Sequence, residues 1–334
     1  MFLALHHDLV RTRRQTRISP SQPTAARRRT LHAIVLAFVA VACSGDTSTP
    51  PSSTGSTDSS TPVSAPVVAG RIAFTSERGN GQGDIYAVNT DGTGLSRLTD
   101  DTADDRGPAW SADGTKIAFT SNRTGNYELF VMDADGSNVI QLTNDPADEG
   151  FPAWSPDGTR VAFAGNRPGN FEIYVMDVDG TKVRRLTKDP SNDYAPDWSP
   201  DGGKIAFDRD QGGVDFNFYV INADGTGERP LMNGPSSDLA PAWSPDGSRI
   251  AFNSDRSGND EIYVMNVDGT GVMALTDDPG ADVLPGWSPD GTAIAFVSDR
   301  DGNEETYVMN ADGTGVTRLT TDPADDIDPA WAPA

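Results

Sequence analysis

The sequence predicts an all-β fold: a six-bladed β-propeller with four antiparallel strands per blade, its ring closed by the C-terminal strand joining the first blade. Three observations carry this expectation. All six tryptophans (Trp110, Trp154, Trp198, Trp243, Trp287 and Trp331) recur at spacings of 44, 44, 45, 44 and 44 residues, and a fixed period of that length marks a repeat architecture. Each unit reads as four short β-rich runs separated by tight-turn residues. The repeat also begins out of phase with its end, which is what a closed ring requires.

One unit shows the elements in order. Strand A is Ala153-Trp154-Ser155, and a Ser-Pro-Asp-Gly turn follows it, with Pro presetting φ and Gly supplying a positive one. Strand B is Arg160-Val161-Ala162-Phe163; its phenylalanine recurs as Phe74, Phe119, Phe207, Phe252 and Phe296. After a loop comes strand C, Glu172-Ile173-Tyr174-Val175-Met176, then a second turn, Asp177-Val178-Asp179-Gly180. Strand D is Val183-Arg184-Arg185-Leu186-Thr187. The runs are too short and too punctuated for helices. The series opens on a B strand (Arg71-Ile72-Ala73-Phe74) and ends on an A strand (Pro329-Ala330-Trp331). If the last A strand joins the first B, C and D, there are six complete blades and no exposed sheet edge of the kind an open array would carry.

The repeat domain is placed at residues 70–334. Ahead of it, residues 1–42 are read as an export signal: a long arginine-rich stretch, then the apolar run Leu31–Ala42 and small residues before a cut. Ala40-Val41-Ala42 fits ordinary signal cleavage, and with Cys43 it also resembles a bacterial lipobox, so lipidation at Cys43 and plain secretion predict the same cut. An unmodified thiol at Cys43 is the remaining reading. Residues 43–69 are rich in Ser, Thr and Pro, have little to bury, and are expected to form a disordered tether. Nothing after residue 42 is apolar for long enough to span a membrane as a helix.

Charge and rare residues narrow the chemistry. Seven of the 26 basic residues and one of the 49 acidic ones lie in the first 42 positions, so the remainder carries 19 basic against 48 acidic groups. Such a field repels nucleic acid and anionic lipid and attracts cations and basic proteins. It also serves plain solubility. His6, His7, His32 and Cys43 are the only His and Cys residues, so the repeat domain has none. Ser/His/Asp and Cys/His catalysis, zinc sites and disulfides are thereby excluded from it.

The unit Pro-x-Trp-Ser-Pro-Asp-Gly, followed by Ile-Ala-Phe, Glu-Ile-Tyr-Val-Met, Asp-Gly and Leu-Thr, resembles the PD-type repeat of the TolB-like β-propeller family of the bacterial envelope. The resemblance covers roughly residues 70–334. It implies the propeller fold and a periplasmic or envelope setting, while the role is left open because the same repeat also occurs in peptidase propellers. The chain departs from that family's pattern by lacking its N-terminal α/β domain.

In an up-and-down blade, the A–B and C–D turns share one face, and the B–C and D–A loops share the other. Variation is concentrated on the second face, so binding is expected there. Five residues before each tryptophan stands a carboxylate: Asp105, Glu149, Asp193, Asp238, Asp282 and Asp326. These are placed at the channel mouth, where six acids would raise one another's pKa or recruit a cation or basic partner. The alternative is that each braces its own loop through backbone N–H groups. A second series, Arg78, Arg123, Arg167, Arg256 and Arg300, lies four residues after the strand-B phenylalanine; Arg209 lies two after Phe207. Each arginine is within reach of the acid of its own blade, as an exposed pair contributing about 0–1 kcal/mol.

The residues after the acids differ in every blade and are read as an unequal channel lining. Blade 4 is the outlier in its B–C loop (Asp208–Phe216) and in Met232-Asn233-Gly234-Pro235. The Asp-x-Asp-Gly runs resemble the start of a calcium loop but lack its glutamate, and turn chemistry accounts for them. No catalytic residue, firm metal site or cofactor is expected, calcium being the one ion considered.

The reading is a lipid-anchored or secreted, non-enzymatic binding module of the bacterial cell envelope. Its partner is a protein or peptide, with basic chemistry favoured; nucleic acid is excluded, and the membrane is engaged only through a lipid anchor. The alternatives are a carboxylate-based carbohydrate-active enzyme and a purely structural surface domain. A near-identical acid in every blade is architecture rather than an acid/base pair, which weighs against the enzyme.

Overall fold

The computed structural model describes residues 70–79, 81–210, 212 and 215–333. The proposed export segment, Cys43 and the tether therefore lie outside the described residues. Three strands open the described chain: β1 (Arg71–Ser76), β2 (Asp84–Asn89) and β3 (Ser96–Arg97). Blade 2 follows as β4 (Asp105–Trp110), β5 (Lys116–Ser121), β6 (Glu128–Asp133) and β7 (Ile140–Gln141). Blade 3 is β8 (Glu149–Trp154), β9 (Arg160–Gly165), β10 (Glu172–Asp177) and β11 (Arg184–Arg185). Blade 4 is β12 (Asp193–Trp198), β13 (Lys204–Asp210), β14 (Phe216–Asn222) and β15 (Arg229–Pro230). Blade 5 is β16 (Asp238–Trp243), β17 (Arg249–Ser254), β18 (Glu261–Asn266) and β19 (Met273–Ala274). Blade 6 is β20 (Asp282–Trp287), β21 (Ala293–Ser298), β22 (Glu305–Asn310) and β23 (Thr317–Arg318). The last strand, β24 (Asp326–Trp331), pairs antiparallel with β1, matching Trp331 to Ile72 and Asp326 to Ser76, and so completes blade 1.

The blades stack face to face, so the middle strands are covered on both sides. The six strand-B phenylalanines are fully buried. Each packs on the ring opposite it in strand C, with centroids 5.4 Å apart for Phe163 and Tyr174 and 6.0 Å for Phe74 and Tyr86. Ile and Ala of the same strands fill the space between neighbouring sheets.

The 44-residue tryptophan period has a direct structural cause. The indole Nε1 of Trp154 donates to the carbonyl of Ala109 in the preceding blade at 3.0 Å, and Trp198 does the same to Ala153 at 3.1 Å. Trp287 reaches Ala242 at 3.2 Å, and Trp331 reaches Gly286 at 3.0 Å. The last of these bonds ties the closing strand to blade 6. These four tryptophans thus each join two blades, whereas the indole nitrogens of Trp110 and Trp243 are buried without such a bond.

Candidate binding face and channel

β4, β8, β12, β16, β20 and β24 are the innermost strands, each in contact with the next around the ring. Every one opens with the acid that recurs five residues before tryptophan and contains a bulge two residues later. The bulge residue has positive φ in all six: Gly107 (59°), Phe151 (57°), Ala195 (47°), Ala240 (54°), Leu284 (55°) and Asp328 (55°). A proline follows each one. Left-handed backbone costs an L residue of this kind roughly 1–2 kcal/mol, so the surrounding ring holds five non-glycine residues in a strained conformation.

The bulge decides what lines the channel. The acids themselves are buried to within 1%. The residue after each acid is also mostly buried between blades, with Arg106, Leu239, Val283 and Ile327 no more than 7% exposed. The unequal lining expected at those positions is therefore displaced. The partly exposed positions are the bulge residues and the residues just before tryptophan, among them Asp197, whose carboxyl is itself buried. One extra residue in the strand rotates the side-chain alternation, which simple period-2 reasoning missed.

The two charged series meet. Arg78 bonds Asp326 at 2.5 Å, Arg123 bonds Asp105 at 2.9 Å, and Arg167 bonds Glu149. Arg256 bonds Asp238 at 2.6 Å and Arg300 bonds Asp282 at 2.7 Å. Each guanidinium also lies over the strand-C ring of its blade, 4.8 Å from the Tyr86 centroid for Arg78 and 5.0 Å from Tyr307 for Arg300. These are not the exposed pairs expected from the sequence, because the carboxylates are out of solvent altogether.

In four blades a serine at the end of strand B accepts from the arginine Nε: Ser76, Ser121, Ser254 and Ser298. In blade 4 Arg209 occupies that serine position itself and reaches Asp193 with two donors, Nε at 2.6 Å and Nη2 at 2.8 Å. Its Nη1 bonds Glu228 at 2.7 Å. The broken spacing of Arg209 thus yields the most buried pair of the six.

Burial pushes Glu149 up to about 7 and Asp193 up to about 6, with the paired arginines pulling the other way. Asp105, Asp238 and Asp326 are raised for the same first reason. The carboxylate that adds to the effect is not a neighbour in the ring. It is the strand-C acid of the adjoining blade, Glu128 beside Glu149 and Glu172 beside Asp193.

That strand-C acid belongs to a buried series the sequence reading passed over: Asp84, Glu128, Glu172, Glu261 and Glu305. Each anchors the short outer strand. Thr143 Oγ1 donates to Glu128 at 2.6 Å while accepting the Leu129 N–H at 2.9 Å, and Thr276 repeats this with Glu261 and Ile262. The Leu-Thr signature is thereby explained. In blade 4 both partners change together, to Asn217 and Met232.

Two features of the loop face break the sixfold pattern. Between blades 1 and 2, Arg106 bonds both oxygens of Asp104, at 2.8 and 2.9 Å, and Glu77 at 2.8 Å, and Tyr127 donates to Asp104 at 2.5 Å. Between blades 3 and 4, Tyr194 sits among Phe171 (5.0 Å), Phe151 (6.0 Å) and Phe216 (6.3 Å). Among the described residues no group of three or more carboxylate, His or Cys side chains is gathered to hold a metal ion. The Asp-x-Asp-Gly carboxylates instead bond within their own turns, as Asp135 does with Ser137.

The repeat, the strand order and the closure agree with what the chain resembles. A family profile described as the TolB beta propeller domain matches residues 58–148 and 213–278. One described as the Tricorn protease N-terminal beta propeller domain matches residues 128–238. The crystal structure of TolB from Acinetobacter baumannii superposes with a TM-score of 0.69 at 26% identity, covering 79% of this chain and 67% of that one. The chain carries the repeat and the six-bladed fold of TolB-like propellers. Within curated relatives, this TolB-like propeller is 46% identical over 55 residues to the Tol-Pal system protein TolB of Desulfosudis oleivorans, 16% of this chain and 12% of that protein. It is 42% identical over 45 residues to dipeptidyl-peptidase 5 of Porphyromonas gingivalis, 14% of this chain and 7% of that protein. Both matches span little more than one blade, so they carry the repeat and not the activity of either whole protein.

Proposed function

We propose that this TolB-like propeller is a non-enzymatic protein- or peptide-binding module of the bacterial cell envelope, engaging its partner on the face of the B–C and D–A loops. The observation that supports this reading is the unequal chemistry of that face. A charged network at Arg106 stands on one part of it and an aromatic cluster around Tyr194 on another, on loops that are otherwise near copies. The opposite face repeats its Pro-Asp-Gly turns blade after blade. With 48 acidic groups after residue 42, a basic partner is the favoured complement. Export with a lipid anchor at Cys43 is the accompanying proposal, and binding to nucleic acid is not expected.

The test is capture of envelope proteins by the full chain compared with Tyr194→Ala and with a Thr270→Ala control in an exposed turn on the opposite face. A partner that is lost with the first variant and kept with the second supports the reading. A partner that stays bound to Tyr194→Ala moves the interface elsewhere. Palmitate labelling of wild type but not Cys43→Ser would support the anchor.

A further inference from the structure

On the face of the A–B and C–D turns, away from the surface just proposed, a groove of about 730 Å³ runs between blades 2 and 3. Its floor is the Trp154 ring, fixed by the bond from its indole to Ala109, and its walls include Val131 and Val178. Ile140 stands at the rim, 56% exposed.

The repeat supplies its own comparison. At the next junction, between blades 3 and 4, the corresponding space is filled from within the chain. The Arg160 guanidinium lies 4.7 Å from the centre of the Trp198 ring. Arg184 donates from Nη1 to the Asp224 carbonyl at 2.6 Å and from Nη2 to the Ala223 carbonyl at 2.7 Å. Arg160 is available for this because Lys182 takes its cross-strand neighbour Asp177 at 2.6 Å.

Between blades 2 and 3 the repeat puts Lys116 in place of Arg160, Ile140 in place of Arg184 and Asn138 in place of Lys182. Lys116 is drawn to Asp133, its own cross-strand neighbour, and leaves Trp154 uncovered. Ile140 has no donor to offer the carbonyls of Val178 and Asp179, which correspond to those that Arg184 serves. Where an arginine does stand in the lysine position, as Arg249 does beside Trp287, the groove measures about 130 Å³.

The walls carry the complementary charge. Asp113, Asp157 and Asp179 line the groove. Each is held in its own turn through Oδ1, as in the bonds from Thr115, Thr159 and Thr181. The Ser111 hydroxyl on Asp113, the Ser155 hydroxyl on Asp157 and the Thr181 hydroxyl on Asp179, together with those turn bonds, hold the carboxyls below their ordinary range, with Asp113 and Asp157 at about 2, so all three are ionised. An aromatic floor, two carbonyls that face a guanidinium one blade further on, and fixed carboxylates together describe a receptor for a cation on an apolar stem.

We propose that the groove between blades 2 and 3 binds an arginine side chain presented by a partner peptide or protein, with the guanidinium on Trp154 and its donors on the carbonyls of Val178 and Asp179. The site is independent of the loop face.

The test uses the full chain labelled with ¹⁵N at tryptophan, so that the indole N–H groups report separately, with Trp154→Phe assigning the one at issue. The probes are acetyl-Gly-Arg-Gly-amide and its citrulline counterpart, which has nearly the same shape without the charge. The expected result is a saturable shift of the Trp154 signal with the arginine peptide, with roughly tenfold weaker binding of the citrulline peptide. Ile140→Arg, which rebuilds the self-filled arrangement at an exposed position, should abolish the response while keeping the indole spectrum dispersed. Arg160→Ala with Arg184→Ala should open the neighbouring groove and make Trp198 respond as well. No Trp154 response at millimolar peptide, equal response to citrulline, uniform shifts of all indoles, or binding that survives Ile140→Arg would each overturn the proposal.

Discussion

Arg209 and Asp193 form a two-donor pair with contacts of 2.6 and 2.8 Å, and the arginine side chain is 5% exposed against 26% for Arg256 in the next blade. The same acid–arginine brace therefore occurs at two depths in one molecule. Breaking a buried pair leaves an uncompensated charge, whereas water can hydrate a shallower one.

Replacing Arg209 by Met should therefore cost about 3–5 kcal/mol, because the buried Asp193 would lose both donors and its counter-charge, and would have to take up a proton. Arg256→Met, at the shallower site, should cost about 1–2 kcal/mol. Urea denaturation of the two variants decides the matter, and equal losses would mean that depth does not set the strength of these pairs.

Ring closure depends on β24. Deleting residues 329–334 removes Trp331 and its bond to Gly286 and leaves β1 as a bare edge. The truncated chain should lose most of its stability and aggregate through that edge. A truncated protein that melts with the full chain would show that the last strand is dispensable.

The channel wall contains an acid with no cation beside it. Asp197 accepts the Trp243 backbone N–H at 2.7 Å, and burial pushes its carboxyl up to about 7. From its ordinary value of 3.8 up to about 7, the folded state keeps a proton that the unfolded chain has released. Stability should therefore fall as pH rises through that window, by at most about 4 kcal/mol for this group, and level off above it. Asp208, raised by burial in the neighbouring strand, acts in the same direction. Asp197→Asn should make the profile of melting temperature between pH 4 and 7 less steep, with Glu149, Asp193 and Asp208 carrying the remainder, and an unchanged profile would remove Asp197 from the account.

The bulge gives opposite expectations at equivalent positions. Ala240→Gly should stabilise the domain by about 0.5–1 kcal/mol, because glycine takes a φ of 54° without the clash that alanine bears. Gly107→Ala, at a φ of 59°, should destabilise it by about as much. Chemical denaturation of both variants is sufficient, and a loss in both would show that the bulge is not under backbone strain.

Much of this architecture could be read from spacing alone, since Trp154 to Ala109 and Trp331 to Gly286 are the contacts that a 44-residue period encodes. The reach of each arginine to its own acid was also legible, because strands A and B are hairpin neighbours. The depth of those pairs was not, since burial there comes from the adjoining blade. Nor was the role of Glu172 or Glu305, because a glutamate opening an apolar strand reads as a solvent-facing end until Thr187 and Thr320 are seen bonded to it. The bulge had only its proline as a signal. The groove floored by Trp154 became visible only when blades with nearly identical sequences were seen to fill the same space differently.

The pairing of β1 with β24 also determines how the ring responds to tension. The strands are antiparallel, and Ala332 N–H donates to the Arg71 carbonyl at 2.8 Å, so the described chain enters and leaves the ring at the same end of the ladder. Force applied between those two points would load the bonds one at a time, peeling the last strand away from Trp331 toward Asp326 rather than shearing the whole ladder at once. Pulled along the line joining those two points, the ring opens one bond at a time rather than across its whole ladder.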